Sequence, residues 1–189
     1  MAKTLKPIPI PEGVTAQIED GRITFEGKLG QLTMAIPPKV DVEISDGQFT
    51  VTGKGEGSPP FVGLTRALVK NHIVGVAEGF TRILEVRGMG FRAQKTKEGI
   101  QFLVGRSHPV MFLPPKGITI DLKTIPNPDD PKTQITEVII KGADRQLVGE
   151  IAATLRRHRT PDPYHGKGIR YKGEYVRKKA GKRAVATQQ

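Results

Sequence analysis

The sequence has no cysteine, no tryptophan and no long hydrophobic run. Without cysteine, the 189-residue chain cannot form disulfides, use a thiolate nucleophile or bind a metal through sulfur. No stretch approaches the roughly 20 apolar residues of a membrane span, and the opening MAKTLKPIPIPEG has no apolar signal-peptide region. Aromatic residues make up only 5% of the chain. We therefore expect a chain with an aliphatic core, outside membranes and, in a bacterium, cytoplasmic.

Catalytic and metal-binding patterns are also missing from the sequence. Of the four histidines, His72 and His158 occupy equivalent places near the ends of two predicted helices, where an imidazolium complements the helix dipole. Neither has a carboxylate or a second histidine at ligand spacing. No Ser-His-Asp order or paired carboxylate cluster can be assembled. We predict no catalytic residue, no metal site and no cofactor, so the chain is not expected to be an enzyme.

Two glycine-rich stretches resemble phosphate-binding loops without matching them. GKGEGS at residues 53–58 lacks the lysine that precedes the hydroxyl residue in a P-loop. RGMGFRA at residues 87–93 lacks the third glycine and the following helix of a dinucleotide-binding motif. The first predicts a flexible connection between a strand and a helix, and the second a bulged turn between strands.

Positive charge is abundant but concentrated at one end of the chain. The net charge of +11 divides into −1 for residues 1–81, +3 for residues 82–155 and +9 for residues 156–189. A cationic end of this kind is typical of a chain that contacts phosphates.

The chain contains an internal repeat. FEGKLGQLTMAIPP at residues 25–38 resembles FLVGRSHPVMFLPP at residues 102–115, and FVGLTRALVKNHIVG at residues 61–75 resembles LVGEIAATLRRHRTP at residues 147–161. Alternating apolar residues follow both members of the first pair, and both members of the second pair have a helical pattern. We predict an α+β fold made of two duplicated small domains, each an antiparallel sheet covered by one helix. The predicted boundaries are residues 1–81, 82–175 and a basic tail at 176–189.

The helical patterns also predict which side chains point inward. In the first domain we predict a helix over residues 60–71 with its inner face formed by Phe61, Leu64, Thr65 and Leu68. In the second domain the stripe is formed by Leu147, Val148, Ile151, Ala152 and Leu155, with Asp144 as the N-cap. KTIPNPDDPKTQ at residues 123–134, rich in proline and acid, predicts a loop.

The segment PDPYHGKGIRYKGEYVRKKAGK, residues 161–182, is the strongest candidate for a binding surface. Its glycines keep the backbone free of Cβ atoms, so that it can approach a phosphate or a groove closely, and its lysines and arginines supply charge for contacts with phosphates. Lys167, Arg170 and Lys178 are expected to be exposed. GIRY alternates like a short strand, so Tyr171 is expected to pack on a sheet, while stacking on bases and packing both remain open for Tyr164. The alternative is a solvated tail.

The same segment resembles a known family. PDPYHGKGIRYKGE is similar to the C-terminal signature of the large ribosomal subunit protein six family of the bacterial type, which is Pro-acid-x-Tyr-Lys-Gly-Lys-Gly-Ile. The resemblance covers essentially the whole chain. His165 stands where the family usually has lysine, so a permanent cation is replaced by an imidazole.

The resemblance implies a two-domain ribosomal protein that binds large-subunit ribosomal RNA, without a membrane partner and as a monomer within the ribosome. It implies a second domain near the sarcin-ricin loop and the stalk base, where translation factors dock, and neighbouring large-subunit ribosomal proteins there. The acidic first domain would be a spacer or a protein-facing half, although its loop at residues 53–57 could touch RNA. The predicted RNA-binding residues are Arg156, Arg157, Arg159, Tyr164, Gly166, Lys167, Gly168, Arg170, Lys172, Arg177, Lys178 and Lys179.

Two other classes of protein remain open from the residues alone. A free RNA-binding regulator or chaperone would carry the same basic segment but would not sediment with ribosomal particles. An enzyme acting on nucleic acid would need a metal or acid-base cluster, and the sequence pattern gives none.

Overall fold

The computed structural model describes residues 6–45, 47–55, 57–127 and 130–181, the last range without the side chains of residues 130–133. The chain divides into two compact units. The first unit contains the described residues up to Phe80 together with Gly142–Arg145, and the second contains Thr81–Lys141 and the described residues from Gln146 onward.

In its described part, the first unit has six short strands and one helix. They are β1 Ile8–Pro9, β2 Thr15–Glu19, β3 Arg22–Gly27, β4 Gly30–Ala35, β5 Val40–Ser45, β6 Gln48–Gly53 and α1 Pro59–Ala77. The strands form two antiparallel sheets, ordered β1-β6-β5 and β2-β3-β4. Alternation explains the burial, because Ile23 and Phe25 on β3 and Phe49 on β6 point into the core and are fully buried.

α1 buries a different face from the predicted one. The helix continues past residue 71 to Ala77, and its buried positions, three or four residues apart, include Thr65, Val69, Ile73 and Val76. Thr65 was placed correctly and Leu68 is partly buried against the core. The predictions for Phe61 and Leu64 were wrong, since these side chains are 38% and 53% exposed. Because Ile73 and Val76 extend the apolar stripe by more than a turn, they determine which face packs on the sheets.

His72 consequently lies inside α1 and not at its end, so the predicted role at the helix dipole was wrong. Its Nδ1 is 2.7 Å from the carbonyl oxygen of Leu68, and its ring stacks on Phe25 with 5.3 Å between centroids. His158 is the last residue of the second helix, as predicted.

The described residues of the second unit form seven strands and one helix. They are β7 Phe80–Arg87, β8 Arg92–Lys95, β9 Ile100–Leu103, β10 Val110–Phe112, β11 Ile118–Asn127, β12 Asp130–Gly142, α2 Arg145–His158 and β13 Gly168–Tyr171. One sheet has the order β10-β9-β8 and the other β11-β12-β7-β13. α2 buries Val148, Ile151, Ala152 and Leu155, which confirms four of the five predicted positions of its stripe, while Leu147 is half-buried. Asp144 directly precedes the helix.

The two units repeat the same succession of elements, which confirms the predicted α+β fold of duplicated small domains. β1-β6-β5 in the first unit corresponds to β7-β12-β11 in the second, and β2-β3-β4 corresponds to β8-β9-β10. The strands of each unit form two sheets, where the sequence suggested one. β13 has no counterpart in the described part of the first unit.

The predicted loop at residues 123–134 was wrong over most of its length. β11 runs to Asn127 and β12 begins at Asp130, and residues 128 and 129 lie outside the described structure. β11 is an edge strand of its sheet. An edge strand tolerates a proline such as Pro126 because its missing N–H can face away from the partner strand.

Among the helices that the structure describes, none is long and apolar enough to cross a membrane. The basic tail predicted at residues 176–189 is described only as far as Gly181, and its last eight residues lie outside the described structure.

Candidate nucleic-acid interface

The segment that follows α2 is tied into the second unit by backbone hydrogen bonds. β13 pairs antiparallel with β7, with Ile169 opposite Val86 and Tyr171 opposite Leu84. The N–H of Ile169 donates to the carbonyl of Arg159 at 2.7 Å, and Ile169 is fully buried. The expectation that GIRY forms a short strand is therefore confirmed, and the segment up to Tyr171 is part of a sheet.

Asp162 organises the loop between α2 and β13. Its carboxylate accepts hydrogen bonds from the backbone N–H groups of Tyr164 at 3.2 Å and His165 at 3.1 Å, and its Oδ2 is 2.9 Å from the Nδ1 of His165. These bonds, the His165 ring first, lower the pKa of Asp162. The histidine that replaces the family's usual lysine thus has a partner within the loop.

Gly168 is required by packing within the chain. A Cβ built on Gly168 would lie 2.7 Å from the Cα of Pro161 and 2.8 Å from the carbonyl oxygen of Thr160. Its φ of +151° also disfavours any side chain. The close backbone approach that the sequence suggested at this position is an approach to Pro161.

Arg156 forms an ion pair within the second unit. Its Nε donates to Glu174 Oε2 at 3.1 Å, and its guanidinium lies over the ring of Tyr171, 5.9 Å from the centroid. The hydrogen bond from Arg156 lowers the pKa of Glu174. Glu174 also accepts a 2.9 Å hydrogen bond from the N–H of Tyr171. Arg156 therefore joins α2 to the chain that follows β13.

Arg170 and Lys172 pair with carboxylates that are buried in the sheet. The Nε of Arg170 donates to Glu85 Oε2 at 3.2 Å, and the Nζ of Lys172 lies 2.7 Å from Glu137 Oε1. This proximity to Glu137 raises the pKa of Lys172. The expectation that Arg170 is exposed was wrong, because only 16% of its side chain is accessible. These two cations hold β13 and its continuation on the sheet.

The other cations of the predicted set are exposed. In the described part of the chain, no carboxylate lies within ion-pair distance of Arg157, Arg159, Lys167, Arg177, Lys178 or Lys179. Arg159 lies over the ring of Phe91, 6.0 Å from its centroid. Lys179 is anchored through its backbone N–H, which donates to Pro163 at 2.9 Å. Tyr164 is 54% exposed, which leaves its ring accessible for stacking.

A cleft of about 280 Å³ brings distant residues to this surface. Arg87 at the end of β7 lines it together with Lys167, Arg170 and Lys178. From the sequence, Arg87 was predicted only to begin a turn and not to belong to the site, because nothing in the sequence indicates that β7 and β13 are neighbours. Tyr175, which is 88% exposed and lies in the same basic segment, was also not predicted as a binding residue.

Within the described ranges, no group of three or more histidine, cysteine or acidic side chains could hold a metal ion. An ordered basic surface on a small α+β fold is typical of a protein that binds nucleic acid for a structural purpose.

Comparison with known proteins identifies the class more closely. The sequence model described as "Ribosomal protein L6" matches residues 10–79 and 87–172. The large ribosomal subunit protein uL6 of Thermosynechococcus vestitus is 41% identical over 179 residues, which cover 94% of this chain and 95% of the relative. That of Roseiflexus castenholzii is also 41% identical, covering 96% of each chain, and that of Xanthomonas axonopodis pv. citri is 37% identical, covering 95% and 97%.

The chain belongs to the ribosomal protein L6 family. It is a structural protein of the large ribosomal subunit and not an enzyme, and RNA binding is the role of this family. The two matched ranges also correspond to the two units of the structure.

Proposed function

We propose that the chain binds large-subunit ribosomal RNA mainly through the residues from Arg156 to Lys179. It holds RNA near the sarcin-ricin loop and the stalk base in the arrangement that translation factors need. The observation that carries this proposal is the set of exposed cations on a folded segment, Arg157, Arg159, Lys167, Arg177, Lys178 and Lys179. Because the backbone that carries these cations is folded before binding, their arrangement favours one RNA shape over others.

The twelve predicted residues take two roles in this proposal. The six exposed cations contact phosphates and 2′-hydroxyl groups, which A-form RNA presents with little dependence on sequence. Tyr164 stacks on a base or a sugar. Arg156, Gly166, Gly168 and Lys172 shape the segment that carries these contacts, through the ion pairs with Glu174 and Glu137 and through the loop between α2 and β13. Arg170 does both.

The place in the ribosome and the neighbours are part of the proposal. The resemblance of the C-terminal signature and the relatives named as large ribosomal subunit protein uL6 support the large subunit as the site. We infer neighbouring large-subunit ribosomal proteins at the stalk base, a monomeric state within the ribosome and a cytoplasmic location. The first unit contributes less to RNA binding because residues 1–81 carry a net charge of −1.

Directed hydroxyl-radical probing tests this placement. Because the chain has no cysteine, a single introduced cysteine is the only thiol to which the iron can be attached. Lys179→Cys provides a unique attachment point for tethered iron on the basic segment, and Glu19→Cys on exposed β2 provides the matched control. Incorporated into large subunits, the Lys179→Cys protein should cleave RNA at the sarcin-ricin loop or the stalk base, and the control should cleave there less. Cleavage confined to other regions, or sedimentation of the protein away from large subunits, would refute the proposal.

A further inference from the structure

Arg170 presents hydrogen-bond donors that no described residue of the protein uses. A guanidinium has five N–H donors in a fixed fork. The Nε of Arg170 donates to Glu85 Oε2 at 3.2 Å, while the terminal nitrogens, Nη1 and Nη2, have no hydrogen-bond partner among the described residues. The side chain is nevertheless mostly buried, with 16% exposed. Glu85 is itself buried and holds the guanidinium at its Nε edge.

Arg170 lines the 280 Å³ cleft described above. Lys167 and Lys178 line the same cleft, and both are exposed. None of the described residues that line the cleft is acidic. A concave site whose charged lining residues are all cations concentrates positive potential, so it attracts an anion.

The two lysines are held near Arg170 by the local chain. Lys178 Cε lies 3.5 Å from where a Cβ of Gly166 would be, and Gly166 has a φ of +71°. The backbone of the next residue, Lys179, is bonded to the carbonyl of Pro163. The tail after β13 therefore folds back beside the loop that carries Lys167, which places both ammonium groups at one cleft.

We propose that this cleft is a binding site for one phosphate group, with the terminal nitrogens of Arg170 donating to two phosphate oxygens. Lys167 and Lys178 add charge at the rim. A planar guanidinium matches the spacing of two phosphate oxygens, whereas an ammonium acts as a point charge. The phosphate is either an RNA backbone phosphate or free phosphate. With RNA as the source, the inference rests on the proposed function and makes Arg170 a fixed anchor within a surface of mobile cations.

The RNA arm of the test compares two changes that keep the charge. Arg170→Lys retains a cation beside Glu85 but loses the fork, and Arg157→Lys makes the same change at an exposed arginine on α2 that does not line the cleft. With an RNA transcript that contains the sarcin-ricin loop and the stalk base, Arg170→Lys should lower affinity about tenfold. Arg157→Lys should lower it less than about twofold. The slope of log affinity against log salt should stay the same for both, because neither loses charge.

The second arm uses inorganic phosphate and the full chain without RNA. The Nε–H resonance of Arg170, assigned by its absence from the spectrum of Arg170→Lys, should shift with sodium phosphate and not with sodium chloride at equal ionic strength. Thermal unfolding of Arg170→Lys checks that the fold is intact.

A phosphate-dependent shift together with the tenfold RNA loss supports the cleft as a site for an RNA phosphate. A shift without the RNA loss supports a phosphate site and assigns it to free phosphate. No shift, with equal RNA affinities for Arg170→Lys and Arg157→Lys, overturns the inference. Failure of the proposed function is distinguishable, because the unchanged chain would then not bind the transcript, while the inorganic phosphate arm would still report on the cleft.

Discussion

The first and second units contain the same succession of strands followed by one helix, but their surfaces differ. α1 has two cations and no acidic residue, and it leaves Phe61 and Leu64 exposed at its start. α2 buries a single stripe and ends in Arg156, Arg157 and His158. The duplicated core is therefore compatible with an apolar exposed helix face in one unit and a cationic one in the other.

The larger difference is an addition to the second unit. β13 extends the sheet beside β7 and is followed by the tail that carries Arg177, Lys178 and Lys179. In the first unit, by contrast, the cation Lys54 forms an ion pair, with its Nζ 2.6 Å from Asp41 Oδ1. Most of the proposed binding surface, from Tyr164 onward, therefore lies in the segment that the second unit has beyond the repeat, while Arg157 lies on α2. The repeat itself supplies the buried carboxylates Glu85 and Glu137 that hold the addition in place.

The largest expected effect tests whether the cores of the two units are equivalent. Phe25 and Phe102 open the two similar sequence stretches and are both fully buried. We expect Phe25→Ala and Phe102→Ala each to lower the free energy of unfolding by about 3–5 kcal/mol, because each loses buried apolar area and leaves a cavity. Urea denaturation measures the loss.

Amide hydrogen exchange then shows where each change acts. Phe25→Ala should accelerate exchange in the first unit and Phe102→Ala in the second, if the units fold as separate domains. Tyr175→Ala, at an exposed position, is the control and should change stability by less than about 0.5 kcal/mol. Equal acceleration across the whole chain by either variant would contradict two separate cores.

A smaller effect is expected where the addition contacts the repeat. Gly168→Ala places a Cβ against the backbone of Pro161, so we expect a loss of about 2–3 kcal/mol through backbone strain and displacement of β13. Gly173→Ala is the matched control, since its φ is +81° but no atom lies within 4 Å of the added Cβ. It should lose about 1–2 kcal/mol, from the backbone conformation alone. Equal losses in thermal unfolding would show that the contact with Pro161 is unimportant.

The smallest effect concerns pH and the Arg156–Glu174 pair. Because the pKa of Glu174 is lowered in the folded chain, the pair contributes its full stability above the usual pKa of about 4.5, and this is lost as the pH falls through the lowered value. Glu174→Gln should therefore be less stable than the unchanged chain at pH 6, by about 1 kcal/mol. The difference should shrink towards pH 3. A difference that is constant over this range in thermal unfolding would mean that the ion pair contributes nothing.

Local patterns predicted the repeat, the α2 stripe and the strand at Gly168–Tyr171, because each depends on neighbouring residues within one element. The pattern failed at α1, where the length of the helix decided which apolar residues were buried. It failed at Pro126 because tolerance of a proline depends on the strand's place in the sheet, which tertiary structure sets.

In the candidate site, too, local features could be predicted from the sequence and contacts set by tertiary structure could not. The exposed cations of the basic segment followed from composition, and their exposure is confirmed for Lys167 and Lys178. The pairing of Arg170 with Glu85 joins residues 85 positions apart, so charge counting could not distinguish this cation from its exposed neighbours. Arg87 entered the site for the same reason, through the pairing of β7 with β13.

The most direct test of the proposed difference between the units is the salt dependence of RNA binding. One variant replaces Lys167, Arg177, Lys178 and Lys179 with alanine, and its control replaces four exposed lysines of the first unit, Lys6, Lys28, Lys39 and Lys70. If the four cations of the second unit neutralise phosphates, the slope of log affinity against log salt should fall in magnitude by about 3. The first-unit variant should leave the slope nearly unchanged. Equal reductions in the two variants would contradict the proposal that the added segment is the RNA-binding surface.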